Sequence, residues 1–278
     1  MESVNLRMGR ISYINASPVY YGLDHGMTPP WLTLVTDVPA SLNRQIIDRQ
    51  VDISPISAAH YAMNHSSLLL LPDLSISCHG PVMSVLCAAN APLDDLAGKT
   101  VMLTKESATA ASFLKMIFSQ RGVTPEYVTG DVGDIDQIPS GVDAVLVIGD
   151  AALTQPWEQR FAYCFDLGEI WHDMTGLPFV FAVWAVRKEV AAAHPETVTR
   201  ALKLLWASRQ SGYAHLEAVI EAGRIKLGLP ESLIRKYYNC LFCDMDAPKI
   251  EAMTRFFDIL YQEKILTSPV AARFFQPE

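Results

Sequence analysis

The sequence predicts an α/β fold with two lobes and a ligand cleft between them. Short apolar runs alternate with amphipathic helices as far as Arg187, and from Lys188 onward the pattern is only helical. Two segments interrupt the alternation: a connection rich in Pro and Gly at 90–98, and a turn that leads into a long β-rich run at 174–187. We therefore expect lobe 1 to comprise residues 1–89 plus 187–278, with the C-terminal helices, and lobe 2 to comprise residues 90–186.

Composition and charge exclude several classes of partner. Half of the 278 residues are apolar and 19% are charged, which is typical of a globular chain. The net charge of −8, without a basic patch, argues against nucleic acid and against a membrane surface as partners. The N-terminus lacks a secretory signal pattern, and five scattered cysteines indicate a reducing compartment. We expect a cytoplasmic protein without disulfides, and the sequence leaves its oligomeric state unknown.

The first strand and the loop after it suggest where a ligand binds. Residues 10–14 form a β-compatible run, followed by Asn15, Ala16 and Ser17, and then Pro18 at the expected start of a helix. A strand that runs directly into a helix leaves free backbone N–H groups and a positive dipole end at the strand's carboxyl edge. Anions bind at such positions.

The same strand-to-helix design recurs along the chain. It is repeated at 51–57 before a helix over 58–64, at 99–103, and at 142–148; a further helix is expected over 37–48. The polar and small residues at these strand ends are Ser57, Ser107, Thr109, Gly149 and Asp150. For one instance, helix capping is the favoured explanation. Their recurrence favours a cleft for a small carboxylated ligand at the carboxyl ends of parallel strands.

Other candidate groups leave alternatives open or point to no site. Ser84 lies inside the apolar run 82–88, where it is either a ligand contact or a sheet serine bonded to the backbone. Arg10 can pair with a ligand carboxylate or with an acidic side chain of the protein. The seven histidines show no ligand spacing, and the usual motifs for nucleotides, zinc and hydrolases are absent, so we expect no metal site.

Seven segments, in this order and spacing, resemble the chorismate dehydratases of the futalosine route to menaquinone. They are GRISYINASP (9–18), VDISPISAAHY (51–61), LPDLSIS (71–77), GPVMSV (80–85), SAT (107–109), IGD (148–150) and TGLPFVFAVW (175–184). The resemblance implies the two-lobed fold of type II periplasmic binding proteins. It also implies elimination of water from chorismate to give 3-[(1-carboxyvinyl)oxy]benzoate without a metal or organic cofactor, the substrate's own enolpyruvyl carboxylate taking the proton.

The resemblance also assigns roles to individual residues. Asn15 and Ser84 match the family's two functionally important polar residues. Asn15 is expected to orient the substrate or stabilise charge, and Ser84 to hydrogen-bond the departing hydroxyl or the substrate carboxylate. The expected substrate-binding residues are Ser57, Ser107, Thr109, Asp150 and Thr175, the last two mainly shaping the cleft or its hinge.

Two other functions fit the same pattern. One is the related 1,4-dihydroxy-6-naphthoate synthase, which acts later in the same pathway on a larger substrate. The other is a binding protein for a small carboxylated metabolite, with the same cleft and no turnover.

Overall fold

The computed structural model describes residues 5–277, which form two five-stranded sheets with helices around them. The first sheet has the strand order β2-β1-β3-β10-β4. Its strands are β1 (Leu6–Ile11), β2 (Leu32–Asp37), β3 (Ile53–Ser57), β4 (Leu68–Cys78) and β10 (Phe179–Arg187). The strand β1 pairs in parallel with β2 and β3, whereas β10 is antiparallel to β3 and β4.

The second sheet repeats this arrangement with the order β7-β6-β8-β5-β9. Its strands are β5 (Val85–Ala89), β6 (Thr100–Thr104), β7 (Glu126–Gly130), β8 (Ala144–Ile148) and β9 (Tyr163–Asp166). Here β5 is antiparallel to both neighbours, β8 and β9. Both sheets are therefore mixed, whereas the alternation of strands and helices predicted parallel ones.

The sheets place the two lobe crossings earlier in the chain than expected. The chain leaves the first sheet after Cys78 and enters the second at Val85; it leaves the second sheet after Asp166 and returns at Phe179. The expected boundaries near 90 and 187 each fall one strand too late. The reason is that β5 and β10 are the antiparallel strands, and each begins its new sheet directly after a crossing.

Twelve α-helices surround the sheets in the described part of the chain. They are α1 (Ser17–Gly22), α2 (Pro39–Ile47), α3 (Ala58–Asn64), α4 (Ala108–Gln120), α5 (Asp150–Thr154), α6 (Trp157–Arg160), α7 (Leu167–Thr175), α8 (Lys188–Ala193), α9 (Pro195–Ala214), α10 (Leu216–Leu227), α11 (Glu231–Cys240) and α12 (Ala247–Gln262). The helical pattern predicted from Lys188 onward is interrupted at His215, whose ψ of 36° ends α9.

The C-terminal helices pack on the first lobe, as the sequence predicts, and α9 lies very close to α1. A Cβ atom on Gly212 would stand 2.0 Å from the carbonyl oxygen of Pro18, so only glycine fits at this crossing. The Ser208 hydroxyl of α9 also accepts a hydrogen bond of 3.0 Å from the Leu23 N–H at the end of α1. This packing fixes the α1 segment, which begins directly after the first strand-to-helix loop.

Aromatic side chains from both lobes form one buried cluster where the lobes join. Phe113 of α4 stacks on Phe179 of β10 with the ring centroids 4.6 Å apart, and Trp171 and Phe256 pack edge-on against them. All four rings are buried. This cluster joins the two lobes through buried ring contacts. No helix among residues 5–277 is long and apolar enough to span a bilayer.

Candidate active site

A cleft between the lobes opens where β1, β3 and β8 end. Its polar lining comes from Tyr13, Asn15, Ser57, Ser84 and Ser107. Its walls are apolar, from side chains such as Ile11, Ile56, Ile76, Val82, Ile148 and Phe181. The structure therefore brings Asn15, Ser57, Ser84 and Ser107 together, and none of the side chains that line this cleft in the described part of the chain is charged.

Asn15 presents an unsatisfied oxygen at the end of β1. It lies on the 3-10 turn Ile14–Ala16, which is fixed on both sides: Asp150 accepts a hydrogen bond of 3.1 Å from the Ile14 N–H, and Tyr238 donates one of 3.0 Å to the Ile14 carbonyl. The Asn15 Oδ1 atom is buried, and it has no hydrogen-bond partner within residues 5–277. An unpaired buried acceptor costs about 1–3 kcal/mol, so a ligand donor at this position would be favoured.

Ser84 lies just before β5 rather than inside a strand, which corrects its predicted placement. It is only 4% exposed. Its hydroxyl accepts a hydrogen bond of 3.0 Å from the Tyr237 phenol, and its carbonyl accepts one of 2.8 Å from the Gly149 N–H. The hydroxyl is therefore bonded to a side chain of α11, and the alternative of a serine bonded to its own sheet does not apply.

The segment before Ser84 is held by one carboxylate, that of Asp166. The carboxylate accepts hydrogen bonds from the N–H groups of Val82 (3.0 Å) and Met83 (2.7 Å), and it also caps α7 at Gly168 (2.8 Å). Met83 has a φ of 63°, a left-handed conformation that costs a non-glycine residue roughly 1–2 kcal/mol. The bonds to Asp166 offset this cost and set the direction in which the chain presents Ser84.

Ser57 and Ser107 stand before α3 and α4 on opposite sides of the cleft. Ser107 caps α4 through its hydroxyl, which accepts from the Ala110 N–H at 3.1 Å, as predicted. Ser57 occupies the cap position of α3 without capping it, because its hydroxyl accepts a hydrogen bond of 3.4 Å from the Asn43 amide nitrogen instead. The Ser57 N–H also donates to the Asn43 amide oxygen at 3.2 Å. The first turns of both helices lie at the cleft, where their N–H groups favour negative charge.

Thr109 and Thr175 do not line the cleft. Thr109 was expected to bind a substrate carboxylate, and Thr175 mainly to shape the cleft or its hinge. Thr109 is completely buried, and its hydroxyl oxygen accepts the Ala59 N–H at 2.9 Å, which links α4 to α3 across the lobes. Thr175 ends α7, where its hydroxyl donates to the Trp171 carbonyl at 2.8 Å and accepts the Leu177 N–H at 3.1 Å. Both hydroxyls already bind backbone groups of the protein.

Asp150 links the second lobe to two parts of the first. Besides the bond from Ile14, its carboxylate forms an ion pair of 2.8 Å with Lys226 of α10, whose ammonium also donates to the Ser12 carbonyl. The preceding Gly149 has a φ of 67°, and a Cβ atom there would lie 2.6 Å from the Tyr13 ring. Asp150 thus shapes the cleft by holding the Asn15 turn.

Tyr13 and Glu106 form a second link between the lobes. The Tyr13 phenol donates a hydrogen bond to the Glu106 carboxylate. Burial first, and then the carboxylate beside it, raise the pKa of Tyr13, so the phenol keeps its proton throughout the ordinary pH range. Arg10 pairs with Asp24 (Nε to Oδ1, 3.1 Å), which settles its two alternatives in favour of a partner within the protein.

The sequence did not point to several groups that support the site. Glu106, Asp166, Lys226, Tyr237 and Tyr238 all act through contacts with residues far away in the chain. The one local signal is the adjacent pair of tyrosines in α11. Among residues 5–277, no group of three or more His, Cys, Asp or Glu side chains is placed to hold a metal ion.

The chain has the two-lobed fold of periplasmic binding proteins. The alkanesulfonate-binding protein SsuA from Xanthomonas axonopodis pv. citri superposes with a TM-score of 0.68 at 13% identity, covering 96% of each chain. Among proteins of this fold, the chain belongs to the menaquinone biosynthesis family, whose sequence model matches residues 6–262.

Two relatives place the chain more closely within the family. A chorismate dehydratase from Thermus thermophilus is 32% identical over 245 residues, which cover 83% of this chain and 86% of the relative. A 1,4-dihydroxy-6-naphthoate synthase from the same organism is 26% identical over 259 residues, covering 91% and 92%. The similarity to the dehydratase is the greater.

Proposed function

We propose that this protein is a chorismate dehydratase, a hydro-lyase that converts chorismate into 3-[(1-carboxyvinyl)oxy]benzoate in the futalosine route to menaquinone. The observation that carries the proposal is the meeting of Asn15 and Ser84 in one apolar cleft, with the Asn15 amide oxygen buried and unpaired. The 32% identity to the Thermus dehydratase supports the choice of reaction.

The reaction breaks a C–H bond and a C–O bond on two neighbouring carbons of the substrate ring. The ring carbon that carries the enolpyruvyl ether loses a proton, and the neighbouring carbon loses its hydroxyl group. The electron pair left by the proton forms the last double bond of the aromatic ring, and the proton and the hydroxide leave as water. The protein must therefore provide for a proton acceptor, for charge that develops on the ring, and for a departing hydroxyl.

The proton acceptor is the substrate's own enolpyruvyl carboxylate. The polar groups that line the cleft are hydroxyls, one phenol and one amide, none of which accepts a proton readily near neutral pH. A carboxylate tethered next to the C–H bond has a high effective concentration, so holding the substrate in the reactive conformation supplies much of the catalysis. Apolar walls such as Ile56 and Phe181 exclude water from that arrangement.

The charge that develops during proton removal spreads through the ring diene onto the ring carboxylate. We place this carboxylate near Ser107, where the N–H groups at the start of α4 stabilise negative charge. The enolpyruvyl carboxylate then faces the lobe 1 side, near Ser57. Neither position needs a cationic side chain in the cleft.

Asn15 and Ser84 act on the part of the substrate that reacts. The Asn15 amide oxygen accepts a hydrogen bond from the ring hydroxyl and fixes its orientation. Ser84 donates a hydrogen bond to the oxygen of the same hydroxyl as the C–O bond breaks, and the departing hydroxide takes the proton held by the enolpyruvyl carboxylate to leave as water. Donors aimed at the place where charge develops give the largest single contributions to catalysis.

We place the reaction in the cytoplasm. All five cysteines are free thiols, and Cys78, Cys87 and Cys243 are buried, which is the usual state of cysteines in a reducing compartment.

The proposal is tested by mixing the purified protein with chorismate, without added metal, and following the ultraviolet absorbance as the ring becomes aromatic. Mass spectrometry should then identify 3-[(1-carboxyvinyl)oxy]benzoate as the product. Binding of chorismate without a spectral change would instead favour a binding protein. Turnover of the larger cyclised substrate of the naphthoate synthase, but not of chorismate, would favour that related enzyme.

A further inference from the structure

Ser84 shares its hydroxyl with a buried tyrosine that the proposed mechanism has not used. The Tyr237 phenol lies 3.0 Å from the Ser84 Oγ atom, on helix α11, and its side chain is 1% exposed. We infer that Tyr237 is a positioning residue that donates a hydrogen bond to the Ser84 oxygen and thereby directs the Ser84 O–H group into the cleft. This inference rests on the proposed function.

The direction of the hydrogen bond follows from what each hydroxyl can do. Burial raises the pKa of Tyr237, so the phenol remains protonated and can always act as a hydrogen-bond donor. Within residues 5–277 the Ser84 hydroxyl has no second hydrogen-bond partner, and it lines the cleft. A serine oxygen that accepts one hydrogen bond keeps its own proton for another acceptor, and the first bond strengthens the second.

The helix that carries Tyr237 is also bonded to the backbone turn that presents Asn15. Tyr238, the next residue, donates to the carbonyl of Ile14, directly before Asn15. Gly223 of α10 allows α11 to approach closely, since a Cβ atom there would lie 3.2 Å from Ile234 and 3.4 Å from the Tyr238 hydroxyl. One helix of the C-terminal segment therefore sets both the Ser84 hydroxyl and the turn that presents Asn15.

Tyr237 and its neighbour Tyr238 have different roles in this arrangement. Tyr238 fixes a backbone position, and its effect reaches the substrate through the whole Asn15 turn. Tyr237 acts on one hydroxyl only, so removing its oxygen while keeping its ring should change the orientation of Ser84 and little else. Tyr237→Phe makes that change, because phenylalanine fills the same buried space.

The experiment compares turnover of chorismate by the wild type, Tyr237→Phe, Ser84→Ala and the double variant. We expect Tyr237→Phe to lower kcat about tenfold with KM changed less than about twofold, because a hydrogen bond realised in the transition state is weakened. In the Ser84→Ala background, Tyr237→Phe should have no further effect on kcat, because its only target is gone.

A matched control is Tyr61→Phe. The Tyr61 hydroxyl is also engaged by the protein, accepting the Arg273 N–H at 2.9 Å, but Tyr61 lies outside the cleft. Its variant should lose a comparable amount of thermal stability and keep the wild-type kcat. A merely structural role of Tyr237 would give Tyr237→Phe the same behaviour.

The inference is overturned if Tyr237→Phe keeps the wild-type kcat while Ser84→Ala loses it, a result that leaves the proposed function intact. It is also overturned if the two substitutions lower kcat by independent, multiplying factors. Absence of any chorismate turnover in the folded wild-type protein would overturn the proposed function, and the inference with it.

Discussion

The two lobes share one strand order, yet their polar side chains at the cleft do different things. At the end of β1 in the first lobe, Asn15 keeps an unpaired oxygen. In the second lobe, Glu106 and Asp150 are engaged by Tyr13 and by the Ile14 N–H of the first. Both lobes present groups to the ligand, since Ser107 of the second lobe and Ser84 directly before β5 also line the cleft. The second lobe also supplies the carboxylates that hold the loop after β1 in place. Junctions of similar design therefore have different roles in the two lobes.

The largest effect on activity is expected when Asn15, the first-lobe group that we assign to the reaction, is removed. Asn15→Ala should lower kcat by about 100-fold or more, as loss of a preorganised polar contact does in other enzymes. Steady-state kinetics with chorismate measure the effect. The matched control is Asn90→Ala, an exposed asparagine at the end of β5, which should keep full activity. Equal activities of the two variants would contradict the role of Asn15.

A second substitution tests the holding role of the second lobe. Asp150→Ala removes both the acceptor for the Ile14 N–H and the partner of Lys226. We expect kcat/KM to fall about tenfold, because hydrogen bonds to charged groups contribute roughly 1.5–3 kcal/mol. Lys226→Gln, which removes the ion pair but leaves the bond from Ile14, should have a clearly smaller effect. An equal loss in both variants would show that the ion pair, and not the turn, matters.

Weakening the link between Tyr13 and Glu106 should have a smaller effect on activity. Glu106→Gln keeps the shape of the side chain and an acceptor for the Tyr13 phenol, but removes the charge. We expect KM to rise about two- to threefold with kcat unchanged, because a charge-assisted hydrogen bond becomes a neutral one. Glu126→Gln, on the exposed strand β7, is the control and should change neither constant. A large fall in kcat would instead place Glu106 in the reaction itself.

The smallest effect on activity is expected for Thr175→Val. Its hydroxyl serves only the end of α7, so the free energy of unfolding should fall by about 1 kcal/mol while kcat and KM stay within twofold of the wild type. Denaturant unfolding and the chorismate assay, applied to one preparation, measure both. A tenfold rise in KM would contradict this account and support the role in substrate binding or cleft shape that the family resemblance implies.

Local sequence patterns predict the parts of the site that depend on local structure. Asn15 and Ser107 follow strands and precede helices, so their place at the cleft follows from the order of elements alone. Ser107 and Thr109 are only two residues apart, however, and sequence cannot tell which of them faces the ligand. The packing of α4 on α3 decides this, because it turns Thr109 toward the Ala59 N–H.

Long-range contacts explain what the sequence could not predict. Tyr237 lies 153 residues from Ser84 in the chain, on an amphipathic helix whose pattern indicates only that one face is buried. The predicted lobe boundaries lie one strand too late for a related reason. The strands β5 and β10 are apolar runs next to a crossing, and their antiparallel partners, which decide the sheet they join, are distant in sequence.

The most direct measurement is a crystal structure of the protein with the product 3-[(1-carboxyvinyl)oxy]benzoate bound. The account predicts that the product occupies the cleft, with the Asn15 amide and the Ser84 hydroxyl on the same side of its ring and both within about 4 Å of the carbon that lost the hydroxyl or of an ordered water beside it. A product bound outside this cleft, or one that reaches only one of the two side chains, would contradict it.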